Sequence, residues 1–178
     1  SNFDVPYAKV PSALMEDTDI QQEIVQSGVP LIVSTGMHDG LEITSHCDWL
    51  EDLKFYNKAN ITVMACHSAY LSPENEINIS TMRTLQGEYT TLDIGFSSHS
   101  PSPFVPILAI AYGQPTLVEV HVTLDRAMKG TDHASSLEEK GLELLIREKN
   151  RFYKILDDGK LKLYDSEKSS REKMKYVL

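Results

Sequence analysis

Residues 92–133 read LDIGFSSHSPSPFVPILAIAYGQPTLVEVHVTLDRAMKGTDH, and their pattern decides the fold. Two apolar runs each end in a polar constellation, Gly95-Phe96-Ser97-Ser98-His99 in the first and Glu119-Val120-His121 in the second. Between them Phe104 to Tyr112 is apolar, long enough for a helix, and closed by Gly113. A strand, a covering helix and a parallel strand make a βαβ unit. Residues leaving the carboxyl ends of such strands gather on one face. His99 and His121 are therefore expected to meet. Two imidazoles at the mouth of a parallel sheet form a candidate divalent-metal site.

The same alternation runs outward in both directions. Tyr7 to Ser12 reads as a short strand ending in polar residues. Asp17 or Thr18 caps a helix with Ile20, Ile24 and Val25 on one face and Gly28 at its end. Pro30 to Gly36 is an apolar strand, and Leu41 to Asn57 a helix with Ile43, Cys47, Leu50 and Leu53 as its stripe. Ile61 to Cys66 is the third strand, leading into His67-Ser68-Ala69-Tyr70, and Asn78 to Gly87 is a shorter helix. Leu92 to Gly95 and Leu117 to His121 are the fourth and fifth strands. Ser136-Leu137-Glu138-Glu139 reads as a capping box. It opens a helix to about Leu156, with Leu142, Leu145, Ile146, Phe152 and Ile155 inward, stopped by Asp157-Asp158-Gly159. Residues 166–178 are charged and lack an apolar face, which predicts a tail or linker after one domain at 1–165.

Continuous apolar strands belong to sheets covered by helices. Each strand ends in hydroxyl or imidazole residues, so one rim carries the polar chemistry, as in a (β/α) barrel. A closed barrel needs about eight strands on roughly 250 residues. The expected class is thus α/β, an incomplete (β/α) barrel of TIM type with five parallel strands and covering helices.

The chain has 178 residues, 41% hydrophobic and 24% charged, which suits one soluble domain with a sizeable core. A net charge of −9 argues against a nucleic-acid surface, which would need a basic patch. It leaves room for an anionic substrate, which a few local cations and N–H groups can hold. Cys47 and Cys66 form no zinc or disulfide pattern, favouring a reducing, cytoplasmic setting. No apolar run has membrane-spanning length, and Ser1-Asn2 reads as an expression remnant before a chain cut from something longer.

The succession KVPSA, LIVSTGM, ACHSAY, GFSSHS and VEVHVTLDRAMKGTDHAS resembles the sialic acid synthase family, the N-acetylneuraminate synthases and their legionaminic and pseudaminic relatives. The family's motifs run KIxSG, STGM, HCTxxYP, GxSDHT and EKHxTLDRxxxGPDHxxS in the same order. The last is the most specific: Glu119, His121, Thr123, Leu124, Asp125, Arg126, Gly130, Asp132, His133 and Ser135 all fit. The resemblance runs from Tyr7 to about Arg147 and maps onto strands four to eight of the family's barrel. The first three strands and the small antifreeze-like domain fall outside it.

The resemblance implies condensation of phosphoenolpyruvate with an N-acetylated amino-sugar aldehyde, releasing phosphate and forming a nine-carbon keto acid. It implies a divalent metal, Mn2+ or Mg2+, on His99 and His121, polarising the sugar carbonyl. It assigns Lys9, Ser12, Ser34, Ser68 and Ser97 to the phosphoenolpyruvate anion, and Tyr70 and Asp132 to the sugar; His99, His121 and Asp132 would be the catalytic set. The chain departs from the family at Leu14, where a Glu is common. It departs also at Ser98 for Asp, Val120 for Lys or Arg, His67-Ser68 for a Thr-Asn or Thr-Ser pair, and Thr131 for Pro.

Taken singly, strand-end serines are turn formers and strand-end histidines are structural residues. Serial recurrence sets these ones apart. Lys9 lies in an apolar context, where a lysine is costly without a partner. His67 and His133 carry either reading, and Asp132 reads as a turn cap or a sugar contact. His38 and His46 read as surface residues, Cys66 as a small buried apolar one, and Trp49 and Tyr56 as packing or surface residues. Two alternatives accompany the synthase: a non-catalytic half-barrel serving as an assembly module, and a related keto-deoxy sugar-acid phosphate synthase. Open strand edges and an uncovered apolar interior predict a homo-oligomer.

Overall fold

The computed structural model describes residues 4–175; Ser1-Asn2 and the last three residues of the expected tail lie outside that range. Five strands, β1 (Ala8–Val10), β2 (Leu31–Ser34), β3 (Ile61–Cys66), β4 (Asp93–Ser98) and β5 (Val118–Val120), form one parallel sheet in chain order. The helices are α1 (Thr18–Gln26), α2 (Gly40–Asn57), α3 (Ser80–Glu88), α4 (Phe104–Gly113), α5 (Glu139–Leu156) and α6 (Asp165–Met174). Right-handed crossovers between strands in strict sequence order put the helices on one face. Among the described residues no helix is long and apolar enough to cross a membrane.

Side-chain alternation divides each strand between two environments. Val10, Leu31, Val33, Ile61, Val63, Ala65, Ile94 and Phe96 pack with Cys47, Leu50, Met82 and Leu85 of the helices. A second cluster, Ile110, Leu137 and Leu145, receives Val118 and Val120 of β5. The opposite face carries Lys9, Ser34, Cys66, Ser97 and Glu119. It also carries Ile32 and Met64, both buried. The concave face is therefore polar with a shielded apolar floor, where an uncovered apolar interior was expected. At Gly95 a Cβ would meet the Met64 sulfur at 2.2 Å, so this floor requires glycine.

The sheet is strongly curled. Flat, four gaps of about 4.8 Å would hold β1 and β5 about 19 Å apart, beyond the reach of facing side chains. Yet Lys9 on β1 and Glu119 on β5 make a 2.7 Å ion pair. Ladder partners of Lys9 run through Ile32, Thr62 and Asp93. Continued in the β4–β5 register they lead to Pro115, about four residues before Glu119. That offset over half a circuit is half the shear, about eight, of a closed (β/α) barrel. The sheet is half of such a barrel.

Several local features differ from the sequence reading. β4 runs on to Ser98, and β5 stops at Val120, leaving His121 just beyond it. α4 includes Gly113, and Gln114 takes the left-handed position (φ 46°). A Cβ at Gly113 would lie 2.1 Å from the Met82 methyl, so packing claims that glycine. Ser136 does not cap α5; its hydroxyl donates to the Asp132 carbonyl at 2.6 Å, and Glu138 is the N-cap. On α5 Leu145 is buried, whereas Ile146 and Ile155 are exposed. Asp165–Met174, which covers most of the tail expected from residue 166 onward, is helical with no buried side chain.

The largest surprise lies between α1 and α2. Ile20 is exposed, and Gln21 takes the fully buried position. Its amide donates to the Met15 and Asp17 carbonyls at 2.6 and 3.1 Å, and its oxygen meets His46 Nε2 at 2.9 Å. His46, expected at the surface, is 8% exposed and lies against Trp49, ring centroids 5.3 Å apart. Burial, reinforced by the charge of His38, pushes the imidazole down to about 4. The unfolded chain binds this proton near pH 6.5, the folded chain near 4. The contribution of the neutral ring is complete above about pH 6.5 and is lost as pH falls through 4, on the order of 3 kcal/mol. Urea unfolding across this range is expected to show that decline in the parent and a flatter profile in His46→Gln.

Candidate active site

The carboxyl ends of the five strands surround a cavity of about 280 Å³. Lys9 and Ser12 enter it from β1, Ser34 from β2, Cys66, Ser68 and Tyr70 from β3, Ser97 and His99 from β4, and Glu119 and His121 from β5. A larger cavity, about 820 Å³, lies between residues 74–80 and the start of α4 and receives His67. Its lining holds none of these strand-end serines, so the convergent chemistry belongs to the smaller cavity.

One wall is a web of hydroxyls. The Ser68 hydroxyl donates to Ser12 Oγ at 3.0 Å, and Ser12 Oγ also accepts the Gly36 N–H at 3.1 Å. A Cβ on Gly36 would stand 1.9 Å from Ser68 Oγ and 2.9 Å from Ser12 Oγ, so only glycine admits this approach. Ser34 is 2% exposed, and its Oγ is the one buried side-chain polar atom without a hydrogen-bond partner among the described residues. An orphan hydroxyl at a cavity wall is costly to keep and points to a ligand.

Opposite stand the charges. Both carboxylate oxygens of Glu119 accept from Lys9 Nζ, at 2.7 and 2.9 Å, and the Ser97 hydroxyl adds a bond of 3.0 Å. Burial works to raise the Glu119 carboxyl, but Lys9 and Ser97 outweigh it and hold it below its ordinary range. His99 and His121 lie 5.0 Å apart between ring centroids, with Tyr70 at 4.4 Å from the first and 5.6 Å from the second. Burial and then the neighbouring His99 push His121 down. Burial would depress His99 too, but its bonds to Cys66 and the His67 carbonyl raise it.

His99 Nδ1 donates to the His67 carbonyl at 2.8 Å, which leaves Nε2 as its free acceptor. His121 Nδ1 lies 3.8 Å from Asp132 Oδ2, too long for a hydrogen bond. Two imidazoles suit a transition-metal ion, yet no group of three His, Cys, Asp or Glu converges for one among the described residues. The chain thus offers a metal two protein ligands, and water or substrate would complete the shell.

Of the residues named from sequence, Lys9, Ser12, Ser34, Ser68, Tyr70, Ser97, His99 and His121 line one cavity. Asp132 stands beside it, near His121, with the Thr131 hydroxyl on its Oδ1 at 2.7 Å. Three participants were missed: Glu119 as the partner of Lys9, Gly36, and Cys66. Strand parity could have found two of them, because Glu119 shares its face with His121 and Cys66 with Ser68. Of the divergent positions, Leu14 is exposed, Val120 packs in the second core, and buried Ser98 accepts the Ser100 N–H at 3.3 Å.

A staggered half-circuit of parallel strands with titratable groups crowded at its carboxyl rim defines part of a (β/α)-barrel protein. Residues 1–161 match the NeuB family, and the chain belongs to it. It is 32% identical over 162 residues to the N,N'-diacetyllegionaminic acid synthase of Campylobacter jejuni, covering 91% of this chain and 48% of that protein. Against human N-acetylneuraminate-9-phosphate synthase the values are 27%, 97% and 46%. The sialic acid synthetase of Leptospira borgpetersenii, solved in complex with citrate, superposes with a TM-score of 0.80 at 31% identity, covering 95% of this chain and 57% of that one. The chain spans about half the length of the curated relatives it matches. A truncated 3-deoxy-D-arabino-heptulosonate 7-phosphate synthase from Thermotoga maritima shares the fold at 15% identity and TM-score 0.66, covering 85% of this chain and 60% of that one.

The two thiols make the cavity directly testable. Cys66 Sγ lies 3.4 Å from Ser68 Oγ and 3.9 Å from His99 Nδ1. Burial would raise it, but these hydrogen bonds bring its pKa below the ordinary thiol value. Cys47 is buried and pushed up to about 12. Thiolates, not thiols, are alkylated. Iodoacetamide near pH 8, read by peptide mass, is expected to label Cys66 well before Cys47.

Proposed function

We propose that the chain forms the anion-binding and metal-binding half of a phosphoenolpyruvate-dependent sialic-acid-type synthase. That transferase joins phosphoenolpyruvate to an N-acetylated amino-sugar aldehyde. The observation that carries this reading is the orphan Ser34 hydroxyl in a wall with Ser12 and Ser68, opposite Lys9 and Ser97. Hydroxyls and one ammonium make a cradle for a small, strongly charged anion. The names of the relatives support the same class of reaction.

In this reading Lys9 and the four serines bind the phosphate and carboxylate of phosphoenolpyruvate. Lys9 must be shared with Glu119, whose carboxylate now holds it. His99 and His121 present their free nitrogens to a divalent ion; imidazole donors favour Mn2+ over Mg2+. When bound, that ion supplies Lewis-acid polarisation of the aldehyde. Tyr70 covers the two imidazoles. Asp132, held by Thr131, accepts hydrogen bonds from the sugar hydroxyls.

Calorimetry with phosphoenolpyruvate tests the cradle. Loss of a charge-assisted contact worth about 1.5–3 kcal/mol is expected to weaken binding in Lys9→Met by roughly 10- to 150-fold. The double variant Lys9→Met/Glu119→Gln leaves no unpaired carboxylate. It is expected to regain thermal stability without regaining phosphoenolpyruvate. Parent-like binding in both variants would sink the assignment of Lys9. Mn2+ is expected to bind the parent and neither His99→Ala nor His121→Ala.

We also propose self-association. Among the described residues no strand pairs with the outer edge of β1 or β5, and the last turns of α5 expose Tyr153 and Ile155. Such edges invite pairing. Light scattering at moderate concentration is expected to report more than one chain per particle, and a monodisperse monomer would refute this.

A further inference from the structure

We propose that His67 is a positioning residue: Ser72 fixes its place, and its carbonyl fixes the proton of His99. Strand parity turns Cys66 and Ser68 toward the site and the His67 side chain away from it, into the larger cavity. There Ser72 holds the ring: its Oγ lies 3.1 Å from Nδ1, while Glu76 Oε2, 3.4 Å from Nε2, attracts the ring only when it is protonated. Ser72 has one hydroxyl proton, which goes to the Ala69 carbonyl at 2.8 Å with a longer contact of 3.3 Å to the His67 carbonyl. His67 Nδ1 is therefore the donor to Ser72 Oγ. One hydroxyl thus closes the turn that follows β3 by tying residues 67, 69 and 72 together.

The His67 carbonyl then meets His99 Nδ1 at 2.8 Å. A carbonyl only accepts, so this contact puts the proton of the neutral ring on Nδ1 and the lone pair on Nε2. Without a fixed carbonyl at that point the ring could carry its proton on either nitrogen, and the Nε2-protonated form would present N–H where a ligand needs a lone pair. Where the motif this chain resembles carries threonine, position 67 here carries the ring that Ser72 holds. It rests on the proposed function only for what His99 Nε2 binds.

The test is nitrogen-resolved NMR of the His99 ring in the metal-free 178-residue chain, at a pH where the ring is neutral. The parent is expected to show the Nδ1-protonated form alone. Ser72→Ala and His67→Ala are expected to show a second tautomer, and Ser72→Thr the parent spectrum again. Mn2+ affinity by calorimetry is expected to fall about tenfold in Ser72→Ala and to recover in Ser72→Thr. A single, unshifted tautomer in folded Ser72→Ala and His67→Ala overturns the proposal, even if both lose thermal stability. His67→Ala removes the clasped ring but leaves the Ser72 bond to the Ala69 carbonyl, and keeps the test decisive if Ser72→Ala does not fold. If the parent takes up no Mn2+, the metal reading fails, and the tautomer measurement still decides the role of His67.

Discussion

The ion pair between Lys9 and Glu119 spans the trough from its first strand to its last. Five strands laid flat could not bring these residues together, so the pair records the curl of the sheet. Every other contact of the site depends on that curl. The hydroxyl web needs the ends of β1, β2 and β3 to converge, and the imidazole pair needs β4 and β5 to lean over them. The pair is partly exposed, with 26% and 33% of the side chains accessible. Solvent screens such a pair, so its importance lies in geometry more than in energy. It also keeps a carboxylate and an ammonium in one cavity without leaving either alone, which burial would penalise.

Much of this was legible in the sequence because two periodicities were strong. The apolar runs of β2, β3 and β4 and the apolar α4 left little choice of element. Motif order then placed Ser12, Ser34, Ser68, Ser97, His99 and His121 on one rim. The errors arose where a residue served a neighbour rather than its own element. Gln21 lies at a core position because its amide satisfies the carbonyls at the start of α1 and the ring of His46. Neither partner is visible in a local window. Gly113 marked the end of α4 by composition, but Met82 of α3 claims it and the turn falls on Gln114.

The partner of Lys9 was illegible for the same reason. Positions 9 and 119 lie far apart in the chain, and only the stagger of the sheet joins them. Parity within a strand is readable; registration across several strands is the sum of all pairings between them. Sequence thus showed which side chains share a face and left open which of them touch.

The contact of Gly36 with Ser12 and Ser68 has an evolutionary side. The cavity owes part of its shape to a carbon atom that is missing. Any side chain at position 36 collides with hydroxyls from two other strands, and shortening either serine first would leave the Gly36 N–H or its neighbour without a partner. Each single step away from this arrangement is therefore worse than its starting point. The three positions are therefore coupled, and a change at one is tolerated only with an accommodating change at the others.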